Sequence, residues 1–234
     1  MDFDTITSSL KKGWEVFKDN AVAYVVGMII IALIVGIVSV VASVLGVAAI
    51  IPAITSGSFT GLGLSFVVLF IAALVLFVLV SPLAFGVTYM GIKGSRGDKV
   101  EINDVFYAFR SKNLIIRSLI YVLVFGLIAS ILSLIPILGQ LILIIVEILL
   151  FYTAYIYVMT PSENIVYALK ESFNVVKENL LITIIAFIVN IVLIMIGMIL
   201  LGIGVLITAP IAMIFAITLL KELKPDLKDN SDNY

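Results

Sequence analysis

Long apolar stretches separated by short polar segments run through this chain. Six of them approach or exceed the roughly 20 residues that an α-helix needs to cross a bilayer. They lie at about residues 21–45, 63–91, 114–135, 138–159, 180–200 and 204–221. Short turns that contain glycine join them in pairs, at 55–63, 136–139 and 202–204. The pattern therefore predicts an all-α integral membrane protein with about six transmembrane helices, arranged as three tandem hairpins.

A second pattern, with the period of an amphipathic helix, occurs ahead of each hairpin. Apolar residues stand at i, i+4 and i+7, followed by a cation and then by an asparagine. Three copies superpose without a gap: Leu10, Trp14, Phe17 and Lys18; Ile102, Phe106, Phe109 and Arg110; Leu169, Phe173, Val176 and Lys177; their asparagines are Asn20, Asn113 and Asn179. We expect three short helices in the membrane interface, with these apolar residues on the buried side, at about 5–18, 102–112 and 162–177.

Each amphipathic helix and the hairpin after it form one unit, and the units span about 5–93, 101–160 and 162–221. The third unit begins near Thr160-Pro161-Ser162-Glu163, which resembles a capping box and predicts a separate helix there. Residues 223–234 form a short polar tail that we expect to be disordered.

Prolines support the repeat. Pro82 and Pro210 each stand eleven residues before the first lysine of the next polar segment. Proline removes a helical hydrogen bond, so we expect the second helices of the first and third hairpins to kink at the same depth. Leu150 stands near the matching place in the middle unit.

Composition places this pattern in a membrane. The chain is 63% hydrophobic and 12% charged, against about 45–50% and about 25% in soluble domains. All 14 Lys and Arg residues fall in four segments that six crossings put on one side: 11–18, 93–117, 170–177 and 221–228. The positive-inside bias then predicts a cell-membrane protein with both termini in the cytoplasm.

Candidate chemistry is sparse. The chain contains no Cys and no His, which removes thiol nucleophiles, imidazole bases and the usual transition-metal ligands. We therefore predict no catalytic residue, no cofactor and no metal site, and we do not expect an enzyme. A net charge of −1 without any basic block argues against nucleic acid as a partner.

Glu147 is the ionisable residue that lies well inside a predicted span, near the middle of the fourth helix. A charge at a helix centre costs about 2.5–3.5 kcal/mol on insertion scales. We therefore expect Glu147 to be buried in the bundle and mostly neutral, with Asn190 or a backbone carbonyl as its partner. Gln140 lies on the same helix face as Glu147, closer to the outer surface. Two interpretations stay open, interhelical glue and a proton or cation site.

Aromatic residues of the amphipathic segments are further candidates: Trp14, Phe17, Phe106, Phe109 and Phe173. Aromatic rings favour the headgroup level of a bilayer, which predicts that these residues anchor the segments in the interface. A stripe that binds a protein partner is the alternative interpretation.

The chain resembles an uncharacterised family of archaeal multi-spanning proteins through its three units, through its second-helix prolines, and through Trp14-x-x-Phe17-Lys18 and Phe106-x-x-Phe109-Arg110. It is also similar to the hydrophobic membrane domain found beside some glycerophosphodiester phosphodiesterases. The resemblance extends from about residue 8 to 222 and implies a fold and a topology but no activity. The acidic and histidine residues of the catalytic domain in those phosphodiesterases have no counterpart here.

Two functions fit these observations. The first is a non-catalytic membrane-organising or accessory protein that acts on the lipid bilayer through its cytoplasmic interfacial helices. Its candidate protein partners are a second copy, another membrane protein or a cytoplasmic protein. The alternative is a small permease or channel for an apolar solute, a lipid or an ion, with a midplane site at Glu147. The scarcity of polar residues to line a path favours the first function.

Overall fold

The structure, a computed structural model, describes residues 3–56, 59–200 and 202–232. Within these ranges the chain forms nine α-helices and one 3₁₀ helix. In chain order they are α1 Phe3–Asp19, α2 Ala21–Ser56, α3 Phe59–Ser95, the 3₁₀ helix Ile102–Arg110, α4 Lys112–Ser133, α5 Leu138–Leu149, α6 Thr153–Met159, α7 Ile165–Glu178, α8 Leu180–Ile199 and α9 Val205–Leu223.

Six helical segments of the described chain are long and apolar enough to cross a membrane. They are Ala21–Ala48, Gly63–Ser95, Lys112–Ser133, Leu138–Met159, Leu180–Ile199 and Val205–Leu223. Each coincides with one predicted stretch, and the ends differ by a few residues. The prediction of an all-helical, multi-pass membrane protein with six candidate spans is therefore confirmed.

The first hairpin is longer than predicted. α2 continues to Ser56 and α3 begins at Phe59, so helix occupies most of the predicted loop at 55–63. Residues 57 and 58 of that loop lie outside the described residues. With 36 and 37 residues, α2 and α3 are about 54 and 56 Å long. A backbone that leaves the helix in lipid loses its hydrogen bonds, which favours continued helix through the apolar residues 46–51.

The other hairpins are shorter. α4 and α8 have 22 and 20 residues, which corresponds to about 33 and 30 Å. An apolar groove of about 330 Å³ runs between α2 and α3, lined by residues from Ile37 to Leu45 and from Val68 to Val75. The outer part of the first hairpin therefore extends beyond the neighbouring helices.

Two kinds of contact between helices hold the described chain together. Consecutive spanning helices pack side by side, α2 on α3, α4 on α5, and α8 on α9. The segments with the amphipathic pattern pack against other helices: α1 against α9, the 3₁₀ helix against α3, and α7 against α5 and α6. The buried core lies where these contacts meet, at residues 83–92, 152–159 and 211–220. Paired charged residues, among them Lys93, Asp104, Arg110 and Lys221, adjoin this core, and we call this part the charged end.

The fourth span is broken between α5 and α6, whereas α3 and α9 continue as helices through Pro82 and Pro210. Ser172 of α7 fills the break. Its hydroxyl accepts from the Tyr152 N–H at 3.2 Å and donates to the Leu149 carbonyl at 3.4 Å. A serine side chain thus replaces helical hydrogen bonds at the place where the other two second helices carry proline.

The tail after α9 is held against the charged end as far as Asp232. The Asn230 N–H donates to the Met159 carbonyl at 2.8 Å, and Lys224 pairs with Glu171 at 2.9 Å. Ser231 is fully buried. The expectation of a disordered tail is therefore wrong for residues 224–232, because polar contacts with several helices offset the entropy of ordering it.

Candidate functional site at the charged end

Corresponding positions of the three segments with the predicted amphipathic pattern are buried against other helices. Gly13, Val105 and Ser172 occupy one position of the pattern, and all three are buried. Gly13 lies on α9, where an added Cβ would stand 3.1 Å from the Phe215 nitrogen. The Val105 carbonyl lies directly on Gly86 of α3. Each segment therefore uses this position to contact the second helix of a hairpin near its proline or its break.

The following position of the pattern is exposed in all three segments. The exposed fractions of the Trp14, Phe106 and Phe173 side chains are 46%, 41% and 43%. These large rings are therefore not fully packed against the described chain.

Burial of the whole apolar side was predicted, and this is confirmed for Phe17 and Val176 only. The Phe17 ring packs 6.1 Å from that of Tyr24. The other large residues of the set are not covered by the described chain, so their burial in the membrane interface stays a prediction: Trp14, Ile102, Phe106, Phe109 and Phe173. The neighbouring buried positions lie at close backbone approaches, which Gly13 permits against α9 and Gly86 of α3 permits against Val105.

The ends of α1 and α7 share one hydrogen-bond pattern. The Asn20 and Asn179 side chains each donate to the carbonyl four residues earlier, at 3.1 and 3.0 Å. The backbone N–H of each asparagine bonds to the carbonyl three residues earlier, and each asparagine carbonyl accepts from the N–H four residues later. The junction before α4 differs, since there the Ser111 hydroxyl accepts from the Asn113 N–H at 3.2 Å.

A buried polar residue stands four positions after each asparagine: Tyr24, Arg117 and Thr183. The Tyr24 hydroxyl donates to the Met90 carbonyl of α3 at 3.0 Å. Arg117 donates from α4 to carbonyls at the end of α6 and just beyond, those of Tyr157, Thr160 and Glu163. First and second helices of two hairpins are thus linked through side chains that reach backbone carbonyls.

Arg117 was missed as a site residue by sequence reasoning, which grouped it with the polar segment 93–117. Its guanidinium lies 3.8 Å from the centroid of the Tyr157 ring, and its side chain is buried within a span. A cation is also favoured at a helix C-terminus by the helix dipole. The spacing from Asn113, equal to that of Tyr24 from Asn20, was the available signal in the sequence.

Asp104 organises the 3₁₀ helix. One carboxylate oxygen accepts from Lys93 at 2.8 Å and from the Glu101 N–H at 2.9 Å, and the other pairs with Arg110 at 3.1 Å. The Asp104 side chain is 3% exposed. A buried carboxylate needs such compensation, because an unpaired charge is costly at low dielectric.

The tail meets a cluster of hydrogen-bond donors. The Tyr89 hydroxyl donates to one oxygen of Asp232 at 2.6 Å, and Arg96 pairs with the other at 2.8 Å. Asp229 lies 3.6 Å from Arg96 and 3.4 Å from Lys221. Burial by itself would raise the pKa of Asp232, but the hydrogen bonds from Tyr89 and Arg96 and the charge of Arg96 hold the pKa below its usual range.

Glu147 does not lie in the bundle. It is exposed on α5, and so is Gln140. The prediction of a buried Glu147 is therefore wrong. The reason is the helix period: Gly139, pressed on the Leu132 carbonyl, and the partly buried Val146 define the inner face, and Glu147 is turned away from both.

Asn190, the expected partner of Glu147, is partly buried on α8. Its side-chain amide donates to the Ala186 carbonyl of its own helix at 3.2 Å. The predicted pairing with Glu147 is not formed, because Glu147 is exposed on α5 and is not turned into the bundle.

Two of the cavities in the described chain open at the charged end. One of about 260 Å³ lies between α7 and the tail, with Glu171 and Lys224 in its wall. The other, about 480 Å³, lies at the junction of α1 and α2 beside Lys18 and Lys99. Neither of these cavities, nor the groove between α2 and α3, is lined by Glu147. Among the described residues no group of three or more Asp or Glu side chains is arranged to hold a metal ion.

Comparison with family models, with curated proteins and with solved structures finds no match for this chain. The family resemblance seen in the sequence therefore stays a prediction.

Proposed function

We propose that this protein is a non-catalytic membrane organiser or accessory protein that acts on one leaflet of the bilayer through three interfacial segments. One observation carries the proposal: Trp14, Phe106 and Phe173 occupy the same position of a repeated pattern and are all exposed. Aromatic side chains inserted at headgroup level expand the leaflet that receives them. Three such insertions around one molecule would act on the same leaflet.

The proposed architecture is a ring of three units, each an interfacial amphipathic segment followed by a hairpin. The 3₁₀ helix packs on α3 and α7 on α5 and α6, so each of these segments packs on the hairpin before it. The contact of α1 with α9 would close the ring. The matching hydrogen bonds of Asn20 and Asn179 support this view of the repeat.

We further propose that the charged end faces the cytoplasm of the cell membrane, with both termini on that side. The bias of Lys and Arg to one side supports this orientation. Cysteines placed at Lys12 and at Ser58 should react with an impermeant thiol reagent only from inside and only from outside, respectively. External reaction at Lys12 would reverse the proposed orientation.

The alternative function, a permease or channel with a site at Glu147, has less support. Glu147 is exposed on α5, and Asn190 bonds within its own helix. A transport site needs polar groups that converge on one cavity. The exposed Glu147 and Gln140 instead favour a partner within the membrane. A second copy is suited to this role, because in a parallel pair it offers the same polar residues at the same depth.

Reconstitution into liposomes tests the proposed function. We expect wild-type protein to shift vesicles to smaller diameters or tubes, as seen by electron cryomicroscopy. Replacing Trp14, Phe106 and Phe173 by alanine should abolish this shift. A matched triple variant, Phe66→Ala, Phe70→Ala and Leu74→Ala, removes exposed apolar side chains from the hairpin instead. It should retain the shift. Wild-type vesicles with the size distribution of empty ones would contradict the proposal.

A further inference from the structure

The tail crosses the charged end as a strap with two attachments. At its start Lys224 pairs with Glu171 of α7 at 2.9 Å. At its far end Asp229 and Asp232 bind Arg96, which follows α3. The polar cavity of about 260 Å³ lies along the stretch between these attachments and is lined on one side by strap residues. The strap is therefore not packed continuously on the helices.

The far attachment has the geometry of an oxyanion site. The two oxygens of Asp232 receive different donors, the Tyr89 hydroxyl at 2.6 Å and Arg96 at 2.8 Å. Lys221 adds a second cation, 3.4 Å from Asp229. Short charge-assisted hydrogen bonds to separate oxygens of one anion are the recognition mode of carboxylate and phosphate sites.

The donors of this site are positioned by the helices. The Tyr89 and Tyr107 rings stack in parallel, with centroids 3.9 Å apart and an interplanar angle of 5°. The Arg110 guanidinium lies over both rings, and Asp104 ties it to Lys93. Tyr107 donates from this stack to the Ser231 carbonyl at 2.8 Å. Since the stack belongs to α3 and the 3₁₀ helix, the tail meets donors that are already in place.

The charge that the strap supplies indicates the kind of ligand. Asp229 and Asp232 together bring two negative charges to Arg96 and Lys221, and Asp98, which is not part of the tail, also pairs with Arg96 at 3.0 Å. A phosphate monoester carries a charge of about −1.5 to −2 at neutral pH on a single group, and an arginine guanidinium matches its oxygens. A single carboxylate would supply only half of that charge.

We propose that Tyr89, Arg96 and Lys221 form a binding site for a phosphate monoester, which Asp229 and Asp232 of the tail occupy in cis. The tail acts as a tethered competitor, so an external ligand binds only the fraction of molecules whose strap is lifted. The site lies at the charged end, where both lipid headgroups and soluble phosphates have access. This inference holds whether or not the aromatic residues remodel a membrane.

Titration of the full chain in detergent tests the site. The probe is inorganic phosphate, followed by isothermal calorimetry. Asp229→Asn with Asp232→Asn should bind phosphate several-fold more tightly than wild type, because the competitor is weakened. A charge-matched control, Asp4→Asn with Asp226→Asn, changes two exposed carboxylates outside the cluster. It should bind as wild type does.

Two further variants test whether Arg96 and Tyr89 bind the phosphate. In the Asp229→Asn, Asp232→Asn background, Arg96→Gln should abolish phosphate binding and Tyr89→Phe should weaken it several-fold. Tyr89→Phe keeps the ring stack, so it remains informative if Arg96→Gln lowers the melting temperature. Binding no tighter than in the control, or binding that survives both of these changes, would overturn the proposal.

A parallel titration distinguishes a lipid headgroup from a soluble phosphate as the ligand. Its probe is dioctanoyl phosphatidic acid, a lipid with a phosphate monoester headgroup. Dioctanoyl phosphatidylcholine, whose phosphate is a capped diester, serves as the control lipid. If the two aspartate substitutions raise the affinity for phosphatidic acid much more than the affinity for inorganic phosphate, the result would support a lipid ligand. If they raise both affinities equally, the result would support the site with a soluble ligand.

Discussion

The outer half of the α2–α3 hairpin and the charged end differ in which side chains they expose and which they bury. In the outer hairpin, large apolar side chains such as Val44 and Phe66 are exposed, and the two helices pack mainly on each other. At the charged end, polar groups such as Asp104 and Arg117 are buried and paired. Lipid is as apolar as the hairpin, so burying the hairpin gains little, whereas an unpaired buried polar group is costly. Stability and specificity should therefore concentrate at the charged end.

Glycine substitutions should show the largest contrast between these regions. A Cβ at Gly86 would overlap the Val105 carbonyl, so Gly86→Ala has to displace the 3₁₀ helix. We expect it to cost about 3 kcal/mol of unfolding free energy. At Gly36 of α2 a Cβ would have no heavy atom of the described chain within 4 Å apart from the adjacent backbone of its own helix. Gly36→Ala should therefore leave stability unchanged or slightly raised.

Thermal unfolding in detergent, followed by circular dichroism, measures both glycine variants. Equal melting temperatures for Gly86→Ala and Gly36→Ala would remove the contrast between the two regions.

Arg117 provides the next contrast. Arg117→Met removes the donors that cap carbonyls at the end of α6, and we expect it to cost about 2 kcal/mol, since hydrogen bonds from charged groups contribute about 1.5–3 kcal/mol. Lys112→Met removes an exposed cation from the same helix and should change stability by less than about 0.5 kcal/mol. Unfolding in a graded series of denaturing detergent compares them. Equal losses would show that the position of the charge is unimportant.

The spans could be predicted from the sequence because membrane crossing requires length and apolar composition, which single residues do not change. The orientation of side chains around a helix depends on its neighbours. Trp14 and Phe106 follow the helical period, yet they are exposed, whereas the neighbouring Gly13 and Val105 are buried at close contacts with α9 and with Gly86 of α3. Periodicity identified the amphipathic segments but not which part of their apolar side is buried.

Polar contacts between distant segments were the least predictable features. Nothing local in the sequence couples Asp232 to Tyr89 or Arg117 to Thr160, because each pair is joined only by the tertiary fold. The break between α5 and α6 likewise depends on Ser172 of α7 rather than on a local proline or glycine. Such pairs can be found in a sequence only through repeat positions, as the spacing of Arg117 from Asn113 illustrates.

Glu147 tests the apolar surface, where effects should be smaller. If a second copy covers α5, Glu147→Leu should weaken self-association in the membrane by about 1 kcal/mol, while Glu147→Gln, which keeps a donor and an acceptor, should preserve it. Förster transfer between labelled copies in liposomes measures the association. Diluting the protein with additional lipid distinguishes specific association from energy transfer that arises from crowding in the membrane. Unchanged transfer for Glu147→Leu would leave α5 facing lipid.

The smallest effect concerns the tail and pH. In the folded protein the pKa of Asp232 is lowered, since its hydrogen bonds with Tyr89 and Arg96 outweigh burial, which acts in the opposite direction. The ionised carboxylate therefore stabilises tail docking at pH values above the ordinary aspartate pKa of about 4, and this stabilisation is lost as the pH falls through the lowered folded value. Because the Asp232 side chain is 56% exposed, we expect about 0.5 kcal/mol, or roughly a twofold change in the equilibrium constant for tail docking.

The chain has no cysteine, so Lys228→Cys gives a single site for a nitroxide label on the tail. Its mobile fraction should rise as the pH falls below about 4. In Asp232→Asn the mobile fraction should be higher at neutral pH, and the pH step should be smaller. Asp226→Asn changes a tail carboxylate that is 76% exposed and serves as the control that keeps the step. An identical step in Asp232→Asn would assign the pH response to other carboxylates and would leave the Tyr89–Arg96 attachment without a part in it.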